Sequence, residues 1–236
     1  MSVFSIVIPV YNEEKVIREV LRDHVAVLAQ MGEAMADWEI ICLDDGSSDQ
    51  SFLILQEEAR ANPRIVVLKN EHNKGIAETF RLLFQNAKGT YVYATGGDGQ
   101  WPAENCQRLW ERLRATSADL VVGVRENRNE VYGLWRRILS YGFNLVPQIF
   151  FHVRTADANG IKLGRREIFQ LPLDSRSFFG EVERIIKARD RGFKVDFAPV
   201  LFLPRTAGKA RGGQWRNIWA TVKDLIKYIF RKRSSG

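Results

Sequence analysis

The sequence predicts an α/β fold in which helices flank a doubly wound, mostly parallel β-sheet, with an amphipathic helix near the C-terminal end. Two observations lead to this prediction. Runs rich in β-branched residues alternate with stretches of helical period along the first half of the 236-residue chain, and this alternation is typical of parallel sheets covered by helices. Three of the β-type runs also end in polar residues, which such a fold brings to one edge of the sheet.

Five strands are predicted in the first half of the chain, each from a short β-type run. The first, residues 3–10, is almost wholly apolar and is expected to be a buried central strand. The others are expected at residues 38–43, 65–68, 90–94 and 118–123. A chain of this length suits one domain with appended helices.

Helices with one apolar face are predicted between these strands. The first has an apolar face made of Val16, Ile17, Val20, Leu21 and Val25. A second extends through Arg60, with Ser48 as its predicted N-cap, and a third covers residues 76–86. A fourth is expected to begin with Pro102 near its first position, where a missing amide hydrogen costs little.

A glycine-rich loop, Thr-Gly-Gly-Asp-Gly-Gln at 95–100, follows the fourth predicted strand. Glycines let a backbone approach a bulky anion, and the Asp98 carboxylate and Gln100 carbonyl are hard oxygen ligands of the kind that Mg²⁺ and Mn²⁺ prefer. The alternative is that Asp98 only caps the next helix. Residues 11–13 and 44–45 end two other strands, so we expect a nucleotide-type pocket where the three ends meet.

Several classes of function and location are disfavoured by missing patterns. The chain has neither a G-x-G-x-x-G turn after its first strand nor a P-loop motif, which argues against a Rossmann dinucleotide site and a P-loop ATPase. Cys42 and Cys106 show no metal-ligand spacing, so we expect buried thiols in a reducing compartment. We expect no signal peptide and no membrane-spanning helix, because no long apolar window is free of charge.

Four motifs, taken together and in order, resemble the family 2 glycosyltransferases of GT-A fold. They are Ile-Val-Ile-Pro-Val-Tyr-Asn-Glu-Glu at 6–14, Leu-Asp-Asp-Gly-Ser-Ser-Asp at 43–49, Asn-Lys-Gly at 73–75 and Gly-Asp-Gly-Gln at 97–100. The chain is more closely similar to the dolichyl- and undecaprenyl-phosphate sugar transferases. The resemblance implies a catalytic domain over residues 1–211, followed by a basic amphipathic helix and tail over 212–236.

The resemblance implies a donor site for a nucleotide sugar, either a GDP- or a UDP-hexose. The residues implied to hold the base and ribose are Pro9, Tyr11, Glu13 and Asp44. Arg205, in a segment similar to the R-x-x-G loop of the family, is implied as a ligand of the diphosphate. The alternatives are that Tyr11 packs on the sheet and that Asp44 only closes an Asx-turn.

The resemblance also implies that Asp98 and Gln100 hold Mg²⁺ or Mn²⁺, which would neutralise the leaving nucleoside diphosphate. One departure from the family pattern affects this site. The family usually has D-x-D here, and Gly96 replaces its first acid. Two interpretations stay open: the enzyme works with one aspartate, which we favour, or the chain is a silent nucleotide-sugar binder.

The acceptor implied by the resemblance is a polyprenyl phosphate. The residues implied to bind its phosphate are Arg125, Arg136 and Ser140, and arginine forks suit phosphate. Asp157 is implied to lie near the sugar or acceptor as a catalytic residue, although an ionised phosphate needs no general base because its second pKa is near about 6. We expect inversion in one displacement. The alternative for the predicted helix around Arg136 is an ordinary solvated face.

Transfer to a sugar or protein hydroxyl is a rival function. A hydroxyl nucleophile needs a positioned general base, and the Q-x-x-R-W motif of processive relatives is not matched by Gln-Trp-Arg-Asn at 214–217.

The C-terminal part of the chain predicts contact with a membrane surface. Residues 214–231 form an amphipathic pattern with tryptophans on one side and basic residues on the other, which suits a lipid headgroup interface. Much of the net charge of +7 also lies in this part. We therefore expect a peripheral protein on the cytoplasmic face of a membrane, and no nucleic acid partner because no aromatic–basic module is present. Packing on the protein itself or in an oligomer is the alternative.

Overall fold

The computed structural model describes residues 4–32, 36–126, 148–149, 151, 157–205 and 215–234. Within these residues the strands form one seven-stranded sheet, in the order β3-β2-β1-β4-β6-β5-β7. The strands are β1 Phe4–Val10, β2 Trp38–Asp44, β3 Ile65–Lys69, β4 Tyr91–Ala94, β5 Leu120–Arg125, β6 Lys162–Arg165 and β7 Val195–Val200. Strand β6 is antiparallel to both of its neighbours, and the other pairs are parallel.

Helices cover both faces of this sheet. They are α1 Ile17–Gln30, α2 Ser51–Ala61, α3 Ile76–Asn86, α4 Glu104–Thr116, α5 Arg166–Phe169, α6 Phe179–Asp190 and α7 Trp215–Ser234. One apolar cluster joins the sheet to α1, α2 and α4, and a second joins it to α3, α5 and α6. Within β1, Ile6 and Ile8 belong to the first cluster and Val7 to the second, as alternation along a central strand requires. The predicted doubly wound, mostly parallel α/β fold is therefore confirmed.

Two local predictions were wrong. Helix α2 begins at Ser51 and has no side-chain cap, because the Ser48 amide and hydroxyl both donate to Asn12 Oδ1 instead. Pro102 lies before α4, whose first residue is Glu104. The apolar face of α1 extends to His24, Val27 and Leu28, and Val25, as predicted, packs against the first apolar cluster although it is only half-buried.

The last strand was not expected from the sequence. Residues 195–200 read Val-Asp-Phe-Ala-Pro-Val, and both aspartate and proline are disfavoured in strands. The structure accepts Pro199 because β7 is an edge strand that pairs only with β5, and proline is tolerated where one side of the ladder is unpaired.

The carboxyl ends of β1, β2 and β4 meet at one edge of the sheet, because these strands are adjacent and parallel. Backbone hydrogen bonds continue beyond the strand ends: the Asp45 amide donates to the Val10 carbonyl over 2.8 Å, and Thr95 donates to Val7 over 3.2 Å. The three polar motifs are thereby placed side by side. Among the described helices, none has both the length and the apolar character needed to cross a membrane.

Candidate donor-binding site

The loops after β1 and β2 are tied together by side-chain hydrogen bonds. The Asn12 amide donates to Ser47 Oγ over 2.9 Å, and the Glu13 amide donates to Ser51 Oγ over 2.8 Å. Asn12 itself has a positive φ of 57°, a conformation that asparagine tolerates better than most residues. These bonds fix the backbone on which Tyr11 and Glu13 stand, and Tyr11 is half-buried there.

Two adjacent aspartates at the end of β2 have different roles. Asp44 is completely buried, and its Oδ1 accepts a hydrogen bond from the Ser47 amide over 3.0 Å. Its Oδ2 is buried without a hydrogen-bond partner among the described residues. The Asx-turn interpretation therefore accounts for one oxygen of Asp44 and leaves an acceptor for a ligand donor group. Pro9 lies in the buried strand β1, beside this end of β2.

Asp45 stabilises the polar turn that precedes α3 through hydrogen bonds. Its carboxylate accepts hydrogen bonds from Asn70 Nδ2 over 2.8 Å and from the amides of Lys74 and Gly75 over 2.9 and 3.0 Å. Sequence reasoning named this residue only as a strand-end acid. The sequence contains both motifs, Asp-Asp-Gly at 44–46 and Asn-Lys-Gly at 73–75. Nothing in the sequence alone shows that they contact each other.

The Asp98 loop is fixed against the segment that follows β7. The Gln100 carbonyl accepts from the Leu203 amide over 2.8 Å, and Gln100 Nε2 donates to the Leu203 carbonyl over 3.0 Å. Asp98 Oδ1 accepts from the Gln100 amide over 3.2 Å. Burial raises the pKa of Asp98 above its usual value, although this hydrogen bond and the charges of Arg205 and Arg125 oppose the rise.

Glycines let this loop approach the first strand. A Cβ atom placed on Gly97 would lie 2.9 Å from the Pro9 carbonyl oxygen, which is too close for any other residue. At Gly96 a Cβ would lie 3.2 Å from Asp98 Oδ1 and 3.5 Å from Trp101 Cδ1. The Asp98 side chain thus leans over the position where the family pattern places its first acid.

Glu13 and Arg205 form an ion pair at the same edge of the sheet. Arg205 Nη2 donates to Glu13 Oε1, and Glu13 Oε2 is buried without a hydrogen-bond partner among the described residues. Burial raises the pKa of Glu13 from 4.5 to about 7; Arg205 opposes the rise and nearby Asp98 adds to it. Glu13, Asp98 and Arg205, which the sequence assigned to one site, are therefore close enough to share one electrostatic field.

Arg125 pairs with Asp157 and acts electrostatically on Asp98. Its Nε is 3.4 Å from Asp157 Oδ2, and its guanidinium carbon lies 4.9 and 4.7 Å from the ring centroids of Trp101 and Phe202. Its charge also lowers the pKa of Asp98. Asp157 is 2% exposed, so its carboxylate is held as a buried partner of Arg125, a pairing that sequence reasoning missed. Arg136 and Ser140 lie outside the described residues.

The donor atoms present fit one kind of cation site. In the part of the chain that the structure describes, no cluster of three or more His, Cys, Asp or Glu side chains could hold a metal ion. Mg²⁺ commonly binds through one or two carboxylates together with substrate phosphates and water. Asp98 supplies one such carboxylate, so a diphosphate would have to complete the coordination shell.

This combination of sheet, helices and polar edge defines a glycosyltransferase domain of the GT-A class. The family model of glycosyl transferase family 2 matches residues 5–171. The chain belongs to glycosyl transferase family 2, as the four motifs predicted.

Curated relatives match a shorter stretch. The chain is 36% identical over 149 residues to the undecaprenyl-phosphate 4-deoxy-4-formamido-L-arabinose transferase of Pseudomonas paraeruginosa. That match covers 63% of this chain and 42% of the relative, so the chain spans less than half of the relative's length.

Solved structures show the same fold at low identity. The glucosyl-3-phosphoglycerate synthase of Mycobacterium tuberculosis, in complex with Mn²⁺, UDP-glucose and phosphoglyceric acid, superposes with a TM-score of 0.69 at 18% identity, covering 97% of this chain and 80% of that one. A mannosyltransferase of Pyrobaculum calidifontis in complex with GDP-mannose and Mn²⁺ has a TM-score of 0.65 at 16% identity, covering 96% and 64%.

Proposed function

We propose that this chain transfers a hexose from a GDP- or UDP-sugar to a polyprenyl phosphate, with inversion and with the help of Mg²⁺ or Mn²⁺. The observation that carries the proposal is the convergence of Glu13, Asp98 and Arg205 at the carboxyl edge of a family 2 domain. The named relatives act on undecaprenyl phosphate, which supports a lipid phosphate as acceptor.

The donor's nucleoside would lie against Pro9, Tyr11, Glu13 and Asp44. The buried oxygens Asp44 Oδ2 and Glu13 Oε2 lack hydrogen-bond partners among the described residues, and such acceptors are costly unless a ligand donor satisfies them. Hydroxyl and N–H groups of a nucleoside are donors of that kind. The M. tuberculosis enzyme binds UDP-glucose and the P. calidifontis enzyme binds GDP-mannose, so both nucleotides are candidates.

The diphosphate would meet Arg205 on one side and the Asp98 loop on the other. Asp98, with the side-chain oxygen of Gln100, would hold a cation there, and the cation would neutralise the leaving nucleoside diphosphate. The Gln100 backbone carbonyl already accepts from Leu203. Arg205 would exchange its bond to Glu13 for the diphosphate, since arginine binds phosphate oxygens through charge-assisted hydrogen bonds. Structures of the M. tuberculosis enzyme hold either Mn²⁺ or Mg²⁺.

The acceptor phosphate would bind near Arg125, with Arg136 and Ser140 as further candidates. Asp157 is paired with Arg125 and is almost completely buried, so we assign it the task of holding Arg125 beside the reacting groups. A phosphate oxygen that is already ionised needs no proton removed. Transfer to a hydroxyl would need a free general base, and the pairing of Asp157 therefore supports the phosphate acceptor.

The reaction would take place at the cytoplasmic face of a membrane, where a lipid-linked acceptor meets a water-soluble donor. Cys42 and Cys106 are buried free thiols, which is compatible with a reducing compartment. Burial raises the pKa of both thiols, so neither is expected to react as a thiolate.

The second candidate is a catalytically silent nucleotide-sugar binder, and Gly96 favours it because one expected acid is missing. A screen of GDP- and UDP-sugars against undecaprenyl and dolichyl phosphate, with Mn²⁺ or Mg²⁺, tests both proposals. We expect labelled sugar to enter the lipid phase with one donor. Calorimetric binding of a nucleoside diphosphate without turnover on any acceptor would instead support the silent binder.

A further inference from the structure

Helix α7 has two apolar faces, one packed on α6 and the segment before it and the other largely exposed. Thr221 and Tyr228 are buried, and the Tyr228 ring lies 5.6 Å from that of Phe179 in α6. Asp224 Oδ2 accepts hydrogen bonds from the amides of Arg176 and Ser177, both over 3.1 Å. These contacts hold α7 in one rotational setting against α6 and the segment before it.

The other face of α7 carries a row of large exposed apolar side chains. The exposed fractions in this row are Trp219 69%, Val222 37%, Ile226 47% and Phe230 66%. Their spacing of three and four residues places them along a single line on a helix. The apolar side of the amphipathic helix predicted over residues 214–231 is therefore divided, since Leu225 packs toward the core while this row faces outward. We call these four residues the outer row.

Basic side chains border the outer row on one side. Lys223 and Lys227 are exposed, and helical geometry places them about 60° and 100° from Ile226 around the axis. Arg231 lies further along the same border and pairs with Asp174 over 2.8 Å. Another exposed apolar side chain is that of Ile149. It stands two positions before Phe151, whose ring lies 5.4 Å from that of Tyr228 in α7.

We propose that the outer row docks on the surface of an anionic lipid bilayer, with Trp219 and Phe230 entering the headgroup region and the two lysines meeting lipid phosphates. An apolar row bordered by lysines is the pattern of helices that lie in a membrane interface, and each lysine near an anionic surface adds attraction. A second copy fits less well, because pairing two such rows side by side would bring like charges together. This inference deepens the proposed function, since it says how the chain would reach a lipid-borne acceptor.

Co-sedimentation of the full chain with vesicles tests this docking without donor, cation or polyprenyl phosphate. Vesicles of phosphatidylcholine with and without phosphatidylglycerol are compared. We expect the wild type to bind the anionic vesicles. The double variant Trp219→Ser with Phe230→Ser should lower the vesicle affinity at least about tenfold. The double variant Lys223→Gln with Lys227→Gln should lower it about fivefold for each lysine removed. Leu53→Ser is the matched control, because Leu53 is 58% exposed on α2, away from the outer row, and should leave binding unchanged.

Three outcomes would overturn the proposal. They are equal binding by the wild type and both double variants, equal binding to neutral and anionic vesicles, and a dimer in sedimentation velocity that the Trp219 and Phe230 changes dissociate. The last outcome would assign the outer row to a second copy. A failure of sugar transfer leaves the vesicle result intact, because no substrate is present.

Discussion

Arg205, in the segment after β7, donates a hydrogen bond to the carboxylate of Glu13, which lies 192 positions earlier in the loop after β1. This pair joins the loop after the first strand to the segment after the last strand, at the carboxyl edge of the sheet. Glu13 is 7% exposed and Arg205 is half-buried, so the guanidinium is reachable from solvent while the carboxylate is not. A diphosphate entering the site would compete with Glu13 for the guanidinium.

Arg205→Ala is expected to weaken donor binding. Losing a charge-assisted hydrogen bond to the diphosphate corresponds to about a ten- to a hundredfold rise in KM for the nucleotide sugar. Arg205→Lys should recover part of the loss because it keeps the charge. Arg165→Ala is the control, since Arg165 pairs with Asp119 in a part of the fold that we do not assign to the donor. An unchanged KM in Arg205→Ala would remove this residue from the donor site.

Glu13→Gln is expected to stabilise the fold at high pH. The folded pKa of about 7 lies above the usual 4.5, so the folded state holds the Glu13 proton more tightly than the unfolded state does. The stability of the wild type should therefore fall as pH rises through about 7. At pH 8 the variant should be more stable by up to about 3 kcal/mol, and this gain should shrink toward pH 5. Denaturant titrations at both pH values check this, and an equal loss at both would contradict it.

Binding of Mn²⁺ is expected to depend on the nucleoside diphosphate. With Asp98 as the carboxylate at the site, phosphate oxygens must complete the coordination shell, so affinity without nucleotide should be at least about tenfold weaker. The electron paramagnetic resonance signal of free Mn²⁺ reports this directly during a titration. Tight Mn²⁺ binding by the chain without nucleotide would show that other ligands hold the cation.

Gly97→Ala is expected to disturb the Asp98 loop. The added Cβ would lie 2.9 Å from the Pro9 carbonyl oxygen, and such overpacking costs about 1–3 kcal/mol of folding free energy. Gly96→Ala is the matched control for stability, because its closest contact is the end of the Asp98 side chain, which is able to rotate. Equal unfolding midpoints for the two variants would show that the loop has more room than the structure indicates.

The sequence predicted much of the fold because the relevant signals are local. The apolar run of β1 and the polar residues after β1, β2 and β4 each lie within a few positions, and parallel strands bring such ends together. The antiparallel insertion of β6 between β4 and β5 depends on contacts between distant segments. The pattern of apolar and polar residues along the chain does not predict which distant strands pair.

The sequence predicted which residues belong to the candidate site better than it predicted which of them contact each other. Glu13 and Arg205 were both assigned to the donor through family resemblance, yet their ion pair joins residues far apart in the chain. The pairing of Arg125 with Asp157 was missed for the same reason, because each residue was assigned a separate substrate role. The aromatic rings of Trp101 and Phe202 that flank Arg125 come from two loops whose proximity only the folded sheet establishes.

We infer that Asp98, without a second acid at position 96, supports cation-assisted sugar transfer. The most direct measurement is the rate of transfer to undecaprenyl phosphate by the wild type and by Asp98→Asn, at saturating Mn²⁺ and with the donor found by screening. Asp23→Asn, a change at an exposed acid on α1, controls for loss of surface charge. We predict that Asp98→Asn lowers the rate at least about a hundredfold and that Asp23→Asn leaves it unchanged. A wild-type rate in Asp98→Asn would show that sugar transfer does not depend on this carboxylate.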